Sequence, residues 1–235
     1  MSTVLITGGS SGLGKELAKS FKKEGYEVLI TYNKTKNTLN GIKAFKCDLS
    51  CEEDINNLLK ELEKYKIDVL VNNAAIEYDT DLFEKTKESF MKTLEVNLVA
   101  PFLISRELGR RMYEEKYGKI INISSNNSID KYDPVTLEYD SSKAGLNILT
   151  KNLAKAFAPY VNVNAILPGW ILTDKIKELD DSLNNQFVKE ESKKILLNRF
   201  ATCEDISNLV LFLASDKSNY INGELIRIDG GSYDR

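Results

Sequence analysis

Residues 7–14 form the glycine-rich stretch Thr7-Gly8-Gly9-Ser10-Ser11-Gly12-Leu13-Gly14. A short apolar run of strand type, Val4–Thr7, precedes it, and a segment with apolar residues at helical spacing follows it as far as Gly25. Glycines in a turn between a strand and a helix let a phosphate approach the free N–H groups at the helix N-terminus. The stretch therefore predicts a phosphate-binding strand–loop–helix unit, with a plain glycine-rich turn as the alternative.

Two phosphate-binding patterns compete within this stretch. Gly9–Lys15 nearly matches G-x-x-x-x-G-K, but Glu16 stands where a Ser or Thr would hold magnesium, and its carboxylate would repel the phosphates. The spacing of Gly8, Gly12 and Gly14 matches a dinucleotide-binding variant, and this pattern is preferred. The loop residues expected at the dinucleotide are Gly8, Ser10, Ser11, Gly12, Leu13 and Gly14.

Strand-like and helix-like segments alternate along the rest of the chain. The predicted strands are Tyr26–Tyr32, Ala44–Cys47, Asp68–Val71, Lys119–Ser124, Val161–Leu167 and Leu225–Ile228. Helices are predicted after Ser50, which forms a capping-box pattern with Glu53, over Phe90–Tyr113, over Asp140–Phe157, and after Thr202 with Asp205. This order predicts an α/β fold: a single-domain, Rossmann-like, doubly wound parallel sheet with helices on both faces, over residues 1–235. The polar stretch at about 168–200 is expected to be mobile and to border the substrate.

The composition excludes several kinds of chemistry. The 235 residues include no histidine, so a histidine-activated nucleophile and histidine metal ligands are excluded. Cys47, Cys51 and Cys203 form no C-x-x-C pair, and no metal site is expected. A net charge of −3 argues against nucleic-acid binding, and no apolar run reaches the ~20 residues of a membrane span. Because the N-terminus shows no signal-peptide pattern, a cytoplasmic location is predicted.

The end of the second predicted strand bears on the choice of cofactor. An acidic residue there would bond the ribose hydroxyls of NAD, but the sequence reads Tyr32-Asn33-Lys34. Lys34 could attract the 2′-phosphate of NADP, and Asn33 lies beside it. NADP(H) is therefore favoured over NAD(H). The alternative for Lys34 is a solvated surface lysine.

Tyr139 and Lys143 form the best candidate for proton transfer in a chain without histidine. Residues four apart on a helix face the same side, so the two side chains can meet. A nearby ammonium stabilises a phenolate, and we expect it to lower the pKa of Tyr139 from its usual value near 10. On its own the pattern also fits a surface pair on a helix.

Across nearly its whole length the chain resembles the short-chain dehydrogenase/reductase family. Besides the glycine stretch, the matching pieces are Asp48-Leu49, Asn72-Asn73-Ala74-Ala75, Asn97, Ile123-Ser124-Ser125, Tyr139 with Lys143, Pro168-Gly169 with Thr173, and Ile228-Asp229-Gly230-Gly231. The resemblance implies that a hydride passes between a nicotinamide and a ketone or secondary alcohol. It implies binding of the cofactor by Asp48 and Leu49 at the adenine, by Asn73 and Ala74 at the ribose, and by Pro168, Gly169, Ile171 and Thr173 near the nicotinamide. The alternatives are a helix-entry role for Asp48 and a loop-capping role for Thr173.

The resemblance also implies four catalytic residues. Tyr139 would act as general acid or base, Lys143 would assist it and bond the nicotinamide ribose, and Ser125 would bond the carbonyl oxygen. Asn97 would hold a water that connects Lys143 to solvent, or would simply bond backbone inside a helix. Ser125 lies one residue further from Tyr139 than is usual in the family, so Ser124 and Asn126 are alternatives. Ser125 is preferred because it follows the strand end.

The expected activity is NADP(H)-dependent reduction of a small-molecule carbonyl or oxidation of the alcohol. Leu197-Asn198-Arg199-Phe200 and Ile221-Asn222-Gly223-Glu224 resemble 3-oxoacyl-acyl-carrier-protein reductases, and an acyl-carrier protein is a candidate partner. Arg106, Arg110 and Arg111 are candidates for contacting it. The alternatives are an NAD-dependent sugar, steroid or other alcohol dehydrogenase of the same family, or a non-catalytic nucleotide sensor. The resemblance also implies a homo-oligomer, a tetramer or dimer, with interfaces on the helices after Asn97 and Tyr139.

Overall fold

A computed structural model of the chain describes residues 1–34, 39–129 and 133–232. Within them, seven strands form one parallel sheet in the order β3-β2-β1-β4-β5-β6-β7. The strands are β1 (Thr3–Ile6), β2 (Glu27–Tyr32), β3 (Lys43–Lys46), β4 (Val69–Asn72), β5 (Gly118–Ile123), β6 (Val161–Pro168) and β7 (Leu225–Ile228). The doubly wound parallel sheet predicted from the sequence is confirmed.

Helices connect the strands and cover both faces of the sheet. They are α1 (Gly12–Lys23), α2 (Glu52–Glu61), α3 (Lys87–Leu94), α4 (Ala100–Glu114), α5 (Leu137–Phe157), α6 (Asp174–Ser182), α7 (Phe187–Ser192) and α8 (Cys203–Ala214). In the described part of the chain, none of these helices combines the length and the apolar character that crossing a membrane requires.

Two hydrophobic cores lie on opposite faces of the sheet. In β1, Val4 and Ile6 point to the core under α1 and α8, whereas Leu5 points to the core under α2, α4 and α5. This division follows from the two-residue period of a strand, and both faces are apolar because helices bury both of them. The order of the sheet reverses between β1 and β4, so the loops that follow these strands separate and leave a crevice at their carboxyl ends.

The predicted elements differ from the observed ones in three places. The capping box of Ser50 and Glu53 is wrong: α2 begins at Glu52 after Cys51, while the Ser50 hydroxyl donates to Asp48 Oδ1 (2.7 Å). The helix predicted over Phe90–Tyr113 is divided into α3 and α4 by a wider π-type turn, Glu95–Val99. The stretch 168–200 contains α6 and α7, and its mobility stays a prediction.

Candidate active site

The glycine loop leaves the N-terminus of α1 open to a ligand. Gly8 has a φ of +66°, and a Cβ at Gly14 would lie 2.3 Å from the Gly8 carbonyl oxygen, so a larger residue at position 14 would displace the loop. Ser11 is the N-cap of α1, but its side chain makes no capping hydrogen bond. The first-turn N–H groups are therefore not capped by that hydroxyl, which fits the binding of a phosphate at this helix end.

Thr7 and Asn73 hold the glycine loop to the end of β4. The Thr7 hydroxyl accepts hydrogen bonds from the backbone N–H groups of Asn73 (3.0 Å) and Ala74 (3.1 Å), and Asn73 Nδ2 donates to the Thr7 carbonyl (3.0 Å). Thr31 adds a bond from the Gly8 N–H to its hydroxyl (3.0 Å). Sequence reasoning assigned no role to Thr7 or Thr31. The signal that could have found them is a hydroxyl side chain at the end of an otherwise apolar strand.

A cleft of about 700 Å³ runs along the carboxyl ends of β1–β4. It brings together eleven of the residues predicted to bind the cofactor: Gly8, Ser10, Ser11, Leu13, Gly14, Asn33, Lys34, Asp48, Leu49, Asn73 and Ala74. Gly12 and Thr173 line a second groove beside α1. The donor groups and the cleft fit a dinucleotide, with the open helix end for its pyrophosphate.

Asp48 forms a small polar network at the adenine end predicted for the cleft. Its carboxylate accepts hydrogen bonds from the Ser50 backbone N–H (2.9 Å) and the Ser50 hydroxyl (2.7 Å), and Asn33 bonds to it as well. These hydrogen bonds stabilise the charged carboxylate and lower the pKa of Asp48, and the bond from the Ser50 backbone N–H has the largest effect. Asp48 thus lines the cleft and also organises the turn before α2.

A second pocket, of about 120 Å³, contains Ser125 and Tyr139. It meets the cleft where Ile76 lines the cleft and the next residue, Glu77, lines the pocket. A hydrogen bond joins the Ser125 and Tyr139 side chains. Ser124 points elsewhere, because its hydroxyl donates to the Lys143 carbonyl (3.3 Å). Of the three candidates for the residue that bonds the carbonyl oxygen, Ser125 is therefore the one whose side chain is bonded to Tyr139 in the pocket, although Asn126 also lines the pocket.

Lys143 lies buried beneath Tyr139. Its Nζ donates to the Ile123 carbonyl (2.8 Å) and lies 5.4 Å from the centroid of the Tyr139 ring. Burial lowers the pKa of Lys143 to about 8, and Glu77 partly opposes this change. The ammonium and the phenol are therefore together at the carboxyl edge of the sheet, as the four-residue spacing predicts.

The direction of the Tyr139 pKa corrects the sequence prediction. Burial raises the pKa of the phenol above its usual value, and the charges of Glu77 and Asp140 raise it further, while the hydrogen bond from Ser125 acts in the opposite direction. The prediction of a lowered pKa considered the lysine alone. It omitted the loss of water around Tyr139 and the two carboxylates nearby.

Asn97 lies in the π-type turn and holds the segment after β4. It is fully buried; its Oδ1 accepts from the Ile76 N–H (2.9 Å), and its Nδ2 donates to the Ile76 carbonyl (2.9 Å) and to the Ser142 hydroxyl (3.0 Å). Such turns are often found at functional sites. These bonds match the alternative in which Asn97 bonds backbone groups. That Asn97 also holds a water connecting Lys143 to solvent stays a prediction.

The residues predicted near the nicotinamide occupy different surroundings. Gly169 lines the pocket, and Pro168 is buried at the end of β6. The Ile171 side chain packs against the core under α1 and α8, while its backbone pairs with Ala201. Thr173 caps α6 by accepting from the Ile176 N–H (3.4 Å), as the loop-capping alternative states. In the described ranges, no group of three or more Cys, Asp or Glu side chains could hold a metal ion.

Comparison with known proteins agrees with this geometry. The family model described as enoyl-(acyl carrier protein) reductase matches residues 8–233. The 3-oxoacyl-acyl-carrier-protein reductase of Rickettsia felis is 38% identical over 97% of this chain and 95% of its own length, and that of Aquifex aeolicus is 34% identical over 97% and 96%.

Solved structures superpose over nearly the whole chain. A 4-hydroxyisoleucine dehydrogenase complexed with NADH is 32% identical, with a TM-score of 0.92 over 99% of both chains. A structure described as ElxO with NADP bound is 30% identical, with a TM-score of 0.90 over 100% of this chain and 99% of the other. The chain belongs to the short-chain dehydrogenase/reductase family and is an NAD(P)-dependent oxidoreductase.

Proposed function

We propose that the protein transfers a hydride between NADP(H) and a ketone or secondary alcohol, with Tyr139 as the general acid in reduction. The observation that carries this proposal is the position of three side chains. The Ser125 and Tyr139 side chains are bonded to each other and open into one pocket, and Lys143 lies beneath the tyrosine. This pocket is next to the cleft that fits a dinucleotide, since Glu77 of the pocket directly follows Ile76 of the cleft.

The side chains support reduction in a specific way. A bound nicotinamide supplies the hydride. Ser125 bonds the carbonyl oxygen of the substrate, and Tyr139 gives its proton to that oxygen as negative charge develops there. The raised pKa of Tyr139 keeps its proton in place at neutral pH, which is the state that a general acid requires. The Lys143 ammonium, with a pKa of about 8, then stabilises the phenolate.

The end of β2 supports NADP(H) as the preferred cofactor. Asn33 and Lys34 line the cleft there, next to Ser10 and Ser11 of the glycine loop. No carboxylate follows directly on β2, since Tyr32 is its last residue. A lysine and neutral donors favour a 2′-phosphate, which a carboxylate at this point would repel.

A 3-oxoacyl thioester is the first specific substrate to test. The curated reductases that share 34% and 38% of their residues with this chain carry that activity in their names. The predicted arginine contacts do not add support. Arg110 and Arg111 bond Glu107 in the last turns of α4, which lead to the start of β5 at the edge of the sheet opposite the pocket. Arg106 lies 5.4 Å from the Phe102 ring.

Exposed apolar side chains support the proposed homo-oligomer. Phe102 on α4 and Ile148 on α5 are exposed, as is Val99, the last residue of the π-type turn before α4. Large apolar side chains on neighbouring helix faces are typical of a subunit interface. Light scattering tests this: a dimer or tetramer agrees, and a monomer at micromolar concentration contradicts it.

Steady-state oxidation of NADPH tests the proposed function. We expect turnover with an acetoacetyl thioester and with a small neutral ketone, and a lower KM for NADPH than for NADH. A crotonyl thioester, which carries a carbon–carbon double bond, tests the enoyl reduction that the family description names. Turnover of the enoyl compound alone would overturn the assignment. Binding of NADPH without turnover of any ketone would favour the nucleotide sensor.

A further inference from the structure

The pocket beside Tyr139 contains charged side chains that the proposed reaction does not use. They are Glu77, Glu191, Lys194 and Asp229. Glu77 comes from the segment after β4, Glu191 from α7, and Asp229 from the end of β7. Three carboxylates and one ammonium give this lining a negative balance, which bears on the charge of the substrate.

Glu77 differs from the other carboxylates in its contacts. Glu191 Oε1 lies 2.9 Å from the Lys194 ammonium, and the Asp229 carboxylate accepts from the Gly231 N–H (3.0 Å). For Glu77, the described ranges 1–34, 39–129 and 133–232 provide neither a hydrogen bond nor an ion pair. Its carboxylate is exposed to the pocket and available to a bound molecule.

The backbone on both sides of Glu77 is fixed by side-chain hydrogen bonds. Asn97 bonds both the N–H and the carbonyl of Ile76 (2.9 Å each). Lys85 Nζ donates to the carbonyl of Tyr78 (3.3 Å). Glu77 therefore stands between two held residues, and the position of its backbone relative to the pocket is fixed.

A buried ion pair connects this segment to the start of α5. Lys85 Nζ lies 2.6 Å from Glu138 Oε2, and the two side chains are 7% and 0% exposed. The same ammonium donates to the Val135 carbonyl (2.7 Å). Because Glu138 directly precedes Tyr139, this pair holds the Glu77 segment at a set position relative to the phenol.

The electrostatic effect of Glu77 reaches the reacting groups. Its charge raises the pKa values of both Tyr139 and Lys143. The Glu77 side chain is exposed on the pocket side, but the protein atoms around it remove part of its water, and this loss raises the pKa of its carboxyl, with Asp79 and Asp140 acting in the same direction. Lys175 of α6 and Lys143 oppose that effect. A carboxylate that acts on Tyr139 through space also acts on a charged group of a substrate bound there.

We propose that Glu77 is a specificity-determining residue that favours ketones carrying a positive charge near the carbonyl over ketones carrying a carboxylate. The inference rests on the proposed function, since it concerns the substrate of the same pocket. An unpaired carboxylate attracts a cationic group and repels an anionic group, and both effects contribute to the difference between the two substrates. A 3-oxoacyl thioester is uncharged at its reacting end and agrees with this preference, whereas the free 3-oxo acid does not.

Three 2-pentanones of similar size test the proposal with NADPH and the intact enzyme. They are 4-oxopentanoate (anionic), 5-hydroxypentan-2-one (neutral) and 4-oxopentyl-trimethylammonium (cationic). For the unmodified protein we expect kcat/KM for the cationic ketone to exceed that for the anionic ketone by about tenfold or more. In Glu77→Gln, which keeps the shape and removes the charge, this ratio should fall toward one. Glu61→Gln, at the end of α2, removes the same charge away from the pocket and should keep the ratio.

The outcomes separate this inference from the proposed function. If the unmodified protein reduces none of the three ketones nor an acetoacetyl thioester, the proposed function fails and the inference fails with it. If it reduces the neutral ketone but prefers the carboxylate, or if Glu77→Gln keeps the ratio, only the inference is wrong. Should Glu77→Gln not fold, the unmodified protein can be measured at increasing salt concentration. Screening should bring the ratio of kcat/KM for the cationic ketone to that for the anionic ketone closer to one, and an unchanged ratio contradicts the proposal.

Discussion

The cofactor cleft and the substrate pocket are neighbouring spaces with different construction. The cleft is lined by the ends of β1–β4 and by the glycine loop, where backbone groups and small side chains face the ligand. The pocket is lined by side chains from separate segments, among them Glu77, Trp170 and Glu191. They meet at Ile76 and Glu77. Under the proposed function, the cofactor would be recognised largely by the path of the backbone at the glycine loop, and the substrate by the side chains of the pocket.

Because of this difference, a substitution should have different consequences in the cleft and in the pocket. In the cleft, Gly14 and Gly8 come so close that any added side chain moves the backbone itself. In the pocket, Trp170 packs against Phe187 and Phe200, with ring centroids 5.2 and 5.6 Å away, and this packing helps to fix α7, which carries Glu191. Changes in the cleft should alter cofactor binding, and changes in the pocket should alter chemistry or substrate choice.

The largest effect is expected for Tyr139→Phe. It removes the proton donor but keeps the ring, so kcat should fall by about 10²–10⁴-fold while the Kd for NADPH stays near that of the unmodified protein. Stopped-flow turnover and a fluorescence titration with NADPH measure the two quantities. Tyr117→Phe is the matched control, because its hydroxyl lies 3.4 Å from Asp216, away from the pocket. Turnover of Tyr139→Phe at the original rate would refute the role of the phenol.

Gly14→Ala should have the opposite pattern of effects, with a larger change in the Kd for NADPH than in kcat. Its Cβ would lie 2.3 Å from the Gly8 carbonyl oxygen and 2.5 Å from Asn73 Nδ2. The loop must move, and we expect the Kd for NADPH to rise by about tenfold to a hundredfold. In Gly109→Ala, the added Cβ would meet the Phe157 ring at 2.3 Å, away from the cleft. Both variants should lower the melting temperature, but a weakened Kd in Gly109→Ala would contradict the comparison.

A smaller effect is expected for Lys34→Ala, which tests the choice of cofactor within the cleft. Loss of a charge-assisted contact with a 2′-phosphate should raise the KM for NADPH by about fivefold and leave the KM for NADH unchanged. Lys23→Ala, at the far end of α1, is the control for a general loss of positive charge. Equal changes for both cofactors would show that Lys34 does not discriminate between them.

The smallest effect is a shift of the pH profile in Glu77→Gln. Reduction requires the charged Lys143 ammonium that stabilises the Tyr139 phenolate, so kcat/KM should fall as the pH rises through the Lys143 pKa of about 8. The negative charge of Glu77 raises the pKa values of Tyr139 and Lys143, and its removal lowers both. The alkaline limb should therefore move to lower pH, measured with the neutral ketone. A move to higher pH, or an equal move in Glu61→Gln, would contradict this assignment.

The cleft was largely predictable from the sequence, since backbone geometry leaves signals in residue type and spacing. Gly8, Gly12 and Gly14 mark the loop, and Asp48 and Asn73 come shortly after strands that end at the same edge of the sheet. Tyr139 and Lys143 were predictable because one helix carries both. The same local patterns misplaced the capping box at Ser50, since the polar network with Asp48 competes for that hydroxyl.

The pocket was much less predictable. Glu77 and Glu191 are far apart in the sequence and carry no motif, and tertiary packing alone brings them to Tyr139. The prediction that the pKa of Tyr139 is lowered was wrong for the same reason, because burial of the phenol depends on the whole fold. The buried pair of Lys85 and Glu138 also gives no local signal, since charged residues at such spacings are common on surfaces.

The turn Glu95–Val99 has a consequence for engineering the enzyme. A π-type turn contains one residue more than an α-helical turn, so deleting Leu98 would force α3 and α4 toward a single helix with Pro101 in its interior. The wider turn sets the direction of the Asn97 side chain, because the extra residue is accommodated there. Asn97 would then turn away from Ile76, and both the wall that carries Glu77 and the floor at Ser142 would lose an anchor. A more regular helix would here produce a poorer catalyst.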